Sequence, residues 1–233
     1  MSDTIFRFPP LFLLFVALPV LAGRPLTTDD AAVVEDKVCQ VEAWVDRGRD
    51  ATTGWLVPAC NFGRGIEWQV GFARTRADGE SAHSEAYAQA KRLLREMRDD
   101  SPWGVGLVVG VTRRPLNERE RGWQHPYVLL PVTYAAGPIT LHVQPGWARD
   151  RERGRHLAVW GIAGEYASSE RFALLAEAFG ENSDKPFLRA GGRYIAIKDR
   201  LELDVTYVTR PGGARGDRYV SLGLAWFTGA FLP

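Results

Sequence analysis

Side chains of the kinds that do chemistry are sparse and scattered in this chain. Two cysteines, Cys39 and Cys60, and four histidines stand among 233 residues. A thiol acts as a nucleophile or redox centre only where a base or cation stabilises its thiolate, and neither cysteine has a histidine near it in sequence. Acyl-transfer chemistry needs a nucleophile, a base and an orienting group within hydrogen-bond reach. His83 and His125 fall in expected loops and His156 borders one, which leaves His142 alone in the middle of a strand-like run. Ser221 and Glu165 are its candidate partners, and no local motif connects the three. Neither Cys–His nor carboxylate–His spacing of the metal-ligating kind recurs, and no glycine-rich phosphate loop is present, so no metal or cofactor is expected. Lys and Arg total 29 against 28 Asp and Glu, a net charge of +1 that supplies no basic excess for nucleic acid.

The elements that must position these groups are strands. In Leu201-Glu202-Leu203-Asp204-Val205-Thr206-Tyr207 every second residue is apolar, and Val220-Ser221-Leu222-Gly223-Leu224-Ala225-Trp226 repeats the rhythm with small residues between bulky ones. A strand sends alternate side chains to opposite faces, so each run has one apolar face and one polar or small face. About twelve such segments follow Lys37, beginning near Val38, Gly54, Ile66, Ser84, Trp103, Tyr127, Ile139, Leu157, Phe172, Leu188, Leu201 and Arg218. The fourth, within Ala82–Met97, has the composition of a helix and reads as a strand only through the count and its neighbours. The connections alternate between longer charged loops and short turns, with 95–102 the exception. Long loops on one side and tight turns on the other, together with an even strand count, are habits of outer-membrane barrels. The expectation is an all-β fold, an antiparallel up-and-down transmembrane β-barrel of about twelve strands over residues 37–233.

The N-terminus fits export. Arg7 precedes an apolar core from Leu11 to Leu21, and Val20-Leu21-Ala22 offers a small-residue cleavage pattern, so residues 1–22 read as a signal peptide. No later run of about eighteen apolar residues exists to make a spanning helix. Residues 23–36 are expected to form a periplasmic segment ahead of the barrel. Eight Trp, eleven Phe and seven Tyr suit the aromatic girdles of an outer-membrane barrel, although an aromatic-rich soluble core has the same composition. An oxidising compartment permits a disulfide. In a hairpin Lys37–Arg47, turn, Thr53–Phe62, pairing positions whose numbers sum to 99 sets Trp44 against Trp55 and Cys39 against Cys60. Opposed Cα atoms about 4.5–5.5 Å apart lie within disulfide range, and closing such a loop contributes on the order of 3 kcal/mol.

If the apolar positions meet lipid, parity sends Glu42, Glu67, Glu85, Gln89, Lys91, His142, Gln144, Glu165, Glu177, Arg189, Arg193, Glu202 and Asp204 inward, since charge is costly on the lipid face. Such a lumen is either a charged channel wall or a packed network of Glu–Arg pairs, and twelve strands lie between filled eight-stranded barrels and open porins. The packed or partly plugged arrangement is the favoured one. Arginine-rich loops, with Arg113, Arg114, Arg119 and Arg121 in one and Arg149, Arg151, Arg153 and Arg155 in another, match lipopolysaccharide phosphates as well as they match their own acidic neighbours.

Arg24-Pro25-Leu26-Thr27-Thr28-Asp29-Asp30-Ala31, Val38-Cys39-Gln40-Val41-Glu42-Ala43-Trp44, Trp55-Leu56-Val57-Pro58-Ala59-Cys60-Asn61, Trp103-Gly104-Val105-Gly106-Leu107 and the closing Ala230-Phe231-Leu232-Pro233 resemble the family labelled MetA-pathway of phenol degradation, a group of proteobacterial outer-membrane proteins. The resemblance implies a barrel in a Gram-negative outer membrane and uptake of small hydrophobic or aromatic compounds; it assigns no functional residue. It also implies contact with the barrel-insertion machinery, which reads a terminal aromatic residue, here Phe231 two places from the end. Asp29 and Asp30 are expected either to enter the lumen mouth and pair with Arg189 or Arg193, or to lie in a free tail. The expected function is a non-enzymatic channel or binding protein for small molecules. The alternatives are an outer-membrane lipase or acyltransferase, and a structural or soluble periplasmic β-protein without transport.

Overall fold

The computed structural model describes residues 24–98, 100–113, 125–151, 153–182 and 184–232. The expected signal peptide and Arg114, Arg119 and Arg121 lie outside the described residues. The strands are β1 (Cys39–Gly48), β2 (Ala51–Asn61), β3 (Ile66–Ala77), β4 (His83–Arg95), β5 (Trp103–Arg113), β6 (His125–Leu129), β7 (Val132–Ala136), β8 (Ile139–Asp150), β9 (Arg155–Ala167), β10 (Phe172–Glu181), β11 (Phe187–Ile197), β12 (Leu201–Thr209) and β13 (Tyr219–Phe227). Each pairs antiparallel with its neighbours, and β13 returns to β1, so the sheet closes on itself. Closure satisfies every edge, which a sheet in hydrocarbon requires.

β6 and β7 both lie between β5 and β8 and form one stave interrupted at Leu130-Pro131. Proline has no N–H for the ladder, but the break is bridged: Leu130 N donates to Pro145 O at 2.9 Å and Gly106 N to Pro131 O at 2.8 Å. The barrel therefore has twelve staves, matching the expected count. The helix-like segment does form a strand, β4. His83 and His125, expected in loops, instead open β4 and β6, where cross-strand pairing with Thr75 and Thr112 extends the ladder.

The lipid-facing band follows from parity. Phe72, Val109, Ile162, Val205 and Leu222 are all about half exposed on the outer face. Near the short-turn end Trp68, Trp103, Tyr166, Phe172, Tyr194 and Trp226 point outward, and Trp103 packs on Tyr134 with centroids 4.6 Å apart. Amphipathic rings at that level form an interfacial girdle. Cys39 and Cys60 are joined in the register anticipated from the sequence, with Trp44 opposite Trp55. The disulfide shares the outward parity of Val41 and Leu56.

Candidate functional site

The inner face carries the ionisable groups. Glu42, Glu67, Lys91, His142, Glu165, Glu177, Arg189, Arg193, Glu202 and Asp204 are all buried within the lumen. Glu85, half-buried, shares the inward face of β4 with Tyr87 and Gln89. Arg189 donates to Glu177 at 3.1 Å. Arg193 bridges Glu165 and Glu202, the latter at 3.2 Å. Glu177 and Arg189 are directly opposed on β10 and β11, whereas Arg193 of β11 reaches Glu202 diagonally on β12 and Glu165 across β10 on β9. A buried charge needs such a partner, because an unpaired one is expensive to desolvate.

Through this polar tube runs the chain's own N-terminal segment. Residues 24–34, read from the sequence as part of a periplasmic tail, lie inside the barrel. Five of their backbone N–H groups find acceptors on the wall: Arg24 N on Glu42 (3.0 Å), Thr28 N on Glu177, Asp29 N on Gln144 (2.7 Å), Ala31 N on Thr133 (2.9 Å) and Val34 N on Glu67 (2.9 Å). Arg189 also donates to Pro25 O, and Asn61 Nδ2 to Val34 O at 2.7 Å. The explanation for the entry is electrostatic and steric. A short stretch of Pro, Thr, Asp and Ala has unpaired peptide groups, which the wall's carboxylates and amides satisfy. Where the segment touches the wall most closely, the wall is glycine. A Cβ at Gly161 would strike Thr28, and one at Gly104 or Gly106 would press on Ala31.

Two ionic clusters hold this plug. Lys91 Nζ donates to Asp29 Oδ1 at 2.7 Å and to Asp30 Oδ1 at 2.9 Å. Arg24 NH2 donates to Asp204 Oδ1 at 3.2 Å and to Ser221 Oγ at 2.7 Å, with its guanidinium 4.0 Å from the Trp44 ring centroid. Asp29 and Asp30 thus enter the lumen but meet Lys91 rather than Arg189 or Arg193. Those two arginines are already engaged by Glu177, Glu165 and Glu202 from the wall itself.

Above residues 24–30, toward the longer loops, the lumen opens into a cavity of about 440 Å³. Trp44, Trp55, Tyr87 and Tyr127 line it, and Trp44 stacks on Trp55 with centroids 5.2 Å apart. Tyr127 Oη donates to Gln89 (2.7 Å), Gln89 Nε2 to Gln69 (2.6 Å) and Tyr87 Oη to Gln69 (3.1 Å), a polar ladder from β3 through β4 and over β5 to β6. Tyr87 and Tyr127 each lie over the glycine opposite them, Gly71 and Gly110, so the rings lie along the wall.

The family described as Uncharacterised conserved protein UCP029691 matches residues 11–225. The chain belongs to this family. Among solved structures, the KdgM porin in complex with disordered oligogalacturonate aligns with a TM-score of 0.57 at 9% identity, over 80% of this chain and 98% of that one. The NanC porin gives 0.54 at 10% identity over 82% and 98%. Outer membrane phospholipase A from Escherichia coli gives 0.51 at 10% identity over 89% and 94%. At these identities the likeness is one of fold: a porin-like outer-membrane β-barrel. The expected barrel therefore holds as a fold similar to outer-membrane β-barrels, while the family matched is UCP029691. A curated relative, a component of the Na(+)-translocating NADH-quinone reductase of Neisseria meningitidis, is 27% identical over 173 residues, 73% of this chain; the chain spans 58% of its length.

Of the chemical candidates, His142 and Glu165 do come together, with Nε2 and Oε1 3.5 Å apart. Ser221 does not join them, since it serves Arg24. The residue in its place is Thr133, whose Oγ1 lies 2.9 Å from His142 Nδ1. Sequence reasoning missed Arg24, Thr133 and Asn61 as lumen contacts. Inward-facing glycines in otherwise bulky strands were the available signal, because a missing side chain marks the close approach of another backbone.

Proposed function

We propose that this barrel is a small-molecule passage of the Gram-negative outer membrane, closed at rest by residues 24–34, with the aromatic cavity as its receiving site. The observation that carries the reading is how the plug is held. Its backbone N–H groups bond to side chains, five on the wall and two on its own Asp29 and Asp30, and not to paired strands, so the wall contacts can be exchanged for water without opening the barrel. Trp44, Trp55, Tyr87 and Tyr127 favour solutes with a flat or apolar body, and Gln69 and Gln89 supply hydrogen-bond partners. The porin fold is consistent with this use; KdgM itself is described with an oligogalacturonate. In a planar bilayer the full chain is expected to be almost electrically silent, and a chain lacking residues 24–34 to give discrete conductance steps. Silence from the folded, heat-modifiable deletion variant would refute the passage.

A hydrolase reading rests on the Thr133–His142–Glu165 chain of contacts. In that reading the Thr133 hydroxyl would have to be freed, because it already accepts from Ala31 N beneath the plug. Hydrolysis of a short-chain ester, lost on His142→Ala, would establish it; no turnover by the plug-deleted barrel would end it. At the outer surface, Arg149 at the end of β8, Arg151 and Arg153 in the β8–β9 loop and Arg155 at the start of β9 are proposed to meet lipopolysaccharide phosphates.

A further inference from the structure

Arg24 occupies a site of recognisable chemistry. The Trp44 face, the Asp204 carboxylate and the Ser221 hydroxyl surround its guanidinium, and Gly223 leaves the room. A Cβ on Gly223 would stand 2.8 Å from Arg24 Nε and 2.7 Å from Asp204 Oδ2. An aromatic face with a carboxylate beside it is how proteins hold organic cations. Arg24 lines the cavity from a buried position, its side chain 5% exposed, and its buried Nε has no hydrogen-bond partner among the described residues, so a free cation gains the site only as the Arg24 side chain leaves it. The cavity is rich in carboxylates: Asp29, Asp30, Glu42, Asp46, Glu67 and Glu165 line it against Arg24, Lys91 and Arg189. Asp46 accepts from Trp44 Nε1 at 3.2 Å through Oδ2, while its Oδ1 has no partner among the described residues.

We propose that the Trp44–Asp204–Ser221 pocket is a binding site for small organic cations, guanidinium or amine compounds with a flat or aliphatic body, which Arg24 fills as a tethered ligand. A free cation of this class competes with Arg24, and its capture loosens the end of the plug. The inference rests on residues 24–34 being a displaceable closure. A tethered group acts at an effective concentration of roughly millimolar, so wild-type protein is expected to bind a simple cation weakly and a chain without the Arg24 side chain to bind it well.

The probe is ethylguanidinium chloride, titrated at constant ionic strength into refolded full-length protein and followed by ligand-observed NMR, with equimolar potassium chloride as control. Arg24→Ala is expected to bind it at least tenfold more tightly than wild type, and Asp204→Asn in the Arg24→Ala background to lose at least tenfold. Arg24→Gln stands in should Arg24→Ala fail to give the heat-modifiable band. Equal binding by wild type and the Arg24 variants, or binding indifferent to Asp204→Asn, overturns the site. Conductance by the plug-deleted barrel without that binding pattern would overturn the site and leave the closure standing. The binding pattern alongside a silent deletion variant would support the site and end the passage.

Discussion

Toward the short turns the lumen is filled by the plug, and Lys91 and Arg193 there each face carboxylates at hydrogen-bond distance. Toward the long loops the same staves present Trp, Tyr and Gln to a cavity, and Asp46 and Glu85 are only half-buried. The contrast shows how one barrel divides its work along its axis. The filled half trades desolvation against pairing, so removing one partner is severe. The open half keeps its charges near water, where a single charge contributes little to stability.

The largest break expected is at Lys91. Lys91→Ala leaves Asp29 and Asp30 in the lumen without their cation, a change worth about 3–5 kcal/mol for a buried pair. The plug has a way out that a core residue lacks, so the expected result is expulsion of residues 24–34 and the onset of conductance, with the barrel still heat-modifiable. Loss of folding without any current would show that the plug is part of the barrel's stability and does not come out separately.

Gly161 and Gly164 give a sharper version on a single strand. Both lie in β9, but Gly161 faces inward under Thr28 and Gly164 faces outward beside Leu141. Gly161→Val should push the plug off its seat, at an overpacking cost of about 1–3 kcal/mol, and raise open-channel frequency. Gly164→Val, on the lipid face, should leave the current at the wild-type level. Equal effects from the two would mean that strand rigidity, not plug contact, is being measured.

Much of this was legible in the sequence, and the reasons differ by region. Strands such as β12 and β13 place bulky apolar residues on one parity and polar or small ones on the other, so both element and facing could be read directly. β4 hid its pattern because its outward face is Ala86, Ala88 and Ala90, whose small side chains carry no strand signal. The disulfide was legible because hairpin register is local. The plug was only half legible: its acidic pair suggested a cationic partner, but which cation depends on barrel closure, which brings β4 over residues 29–30. Lys91 is 61 residues from Asp30, and no local spacing encodes that contact.

The smallest effect should come from Asp46, and it bears most directly on the open half. Asp46→Asn removes a carboxylate that lines the cavity and forms no salt bridge among the described residues; its bond from Trp44 Nε1 can be kept by the amide oxygen. Stability should therefore move by no more than about 0.5 kcal/mol. Ion selectivity should move more, because a carboxylate in a low-dielectric mouth concentrates cations. In the barrel lacking residues 24–34, the reversal potential under a potassium chloride gradient should shift toward zero on Asp46→Asn. The same substitution outside the cavity, Asp78→Asn in the turn after β3, should not shift it. An unchanged reversal potential at Asp46 would mean that the deeper carboxylates around Glu42 and Glu67 set the selectivity once the plug is gone, and the division between a filled half and a receiving half would then exist only while the plug is seated.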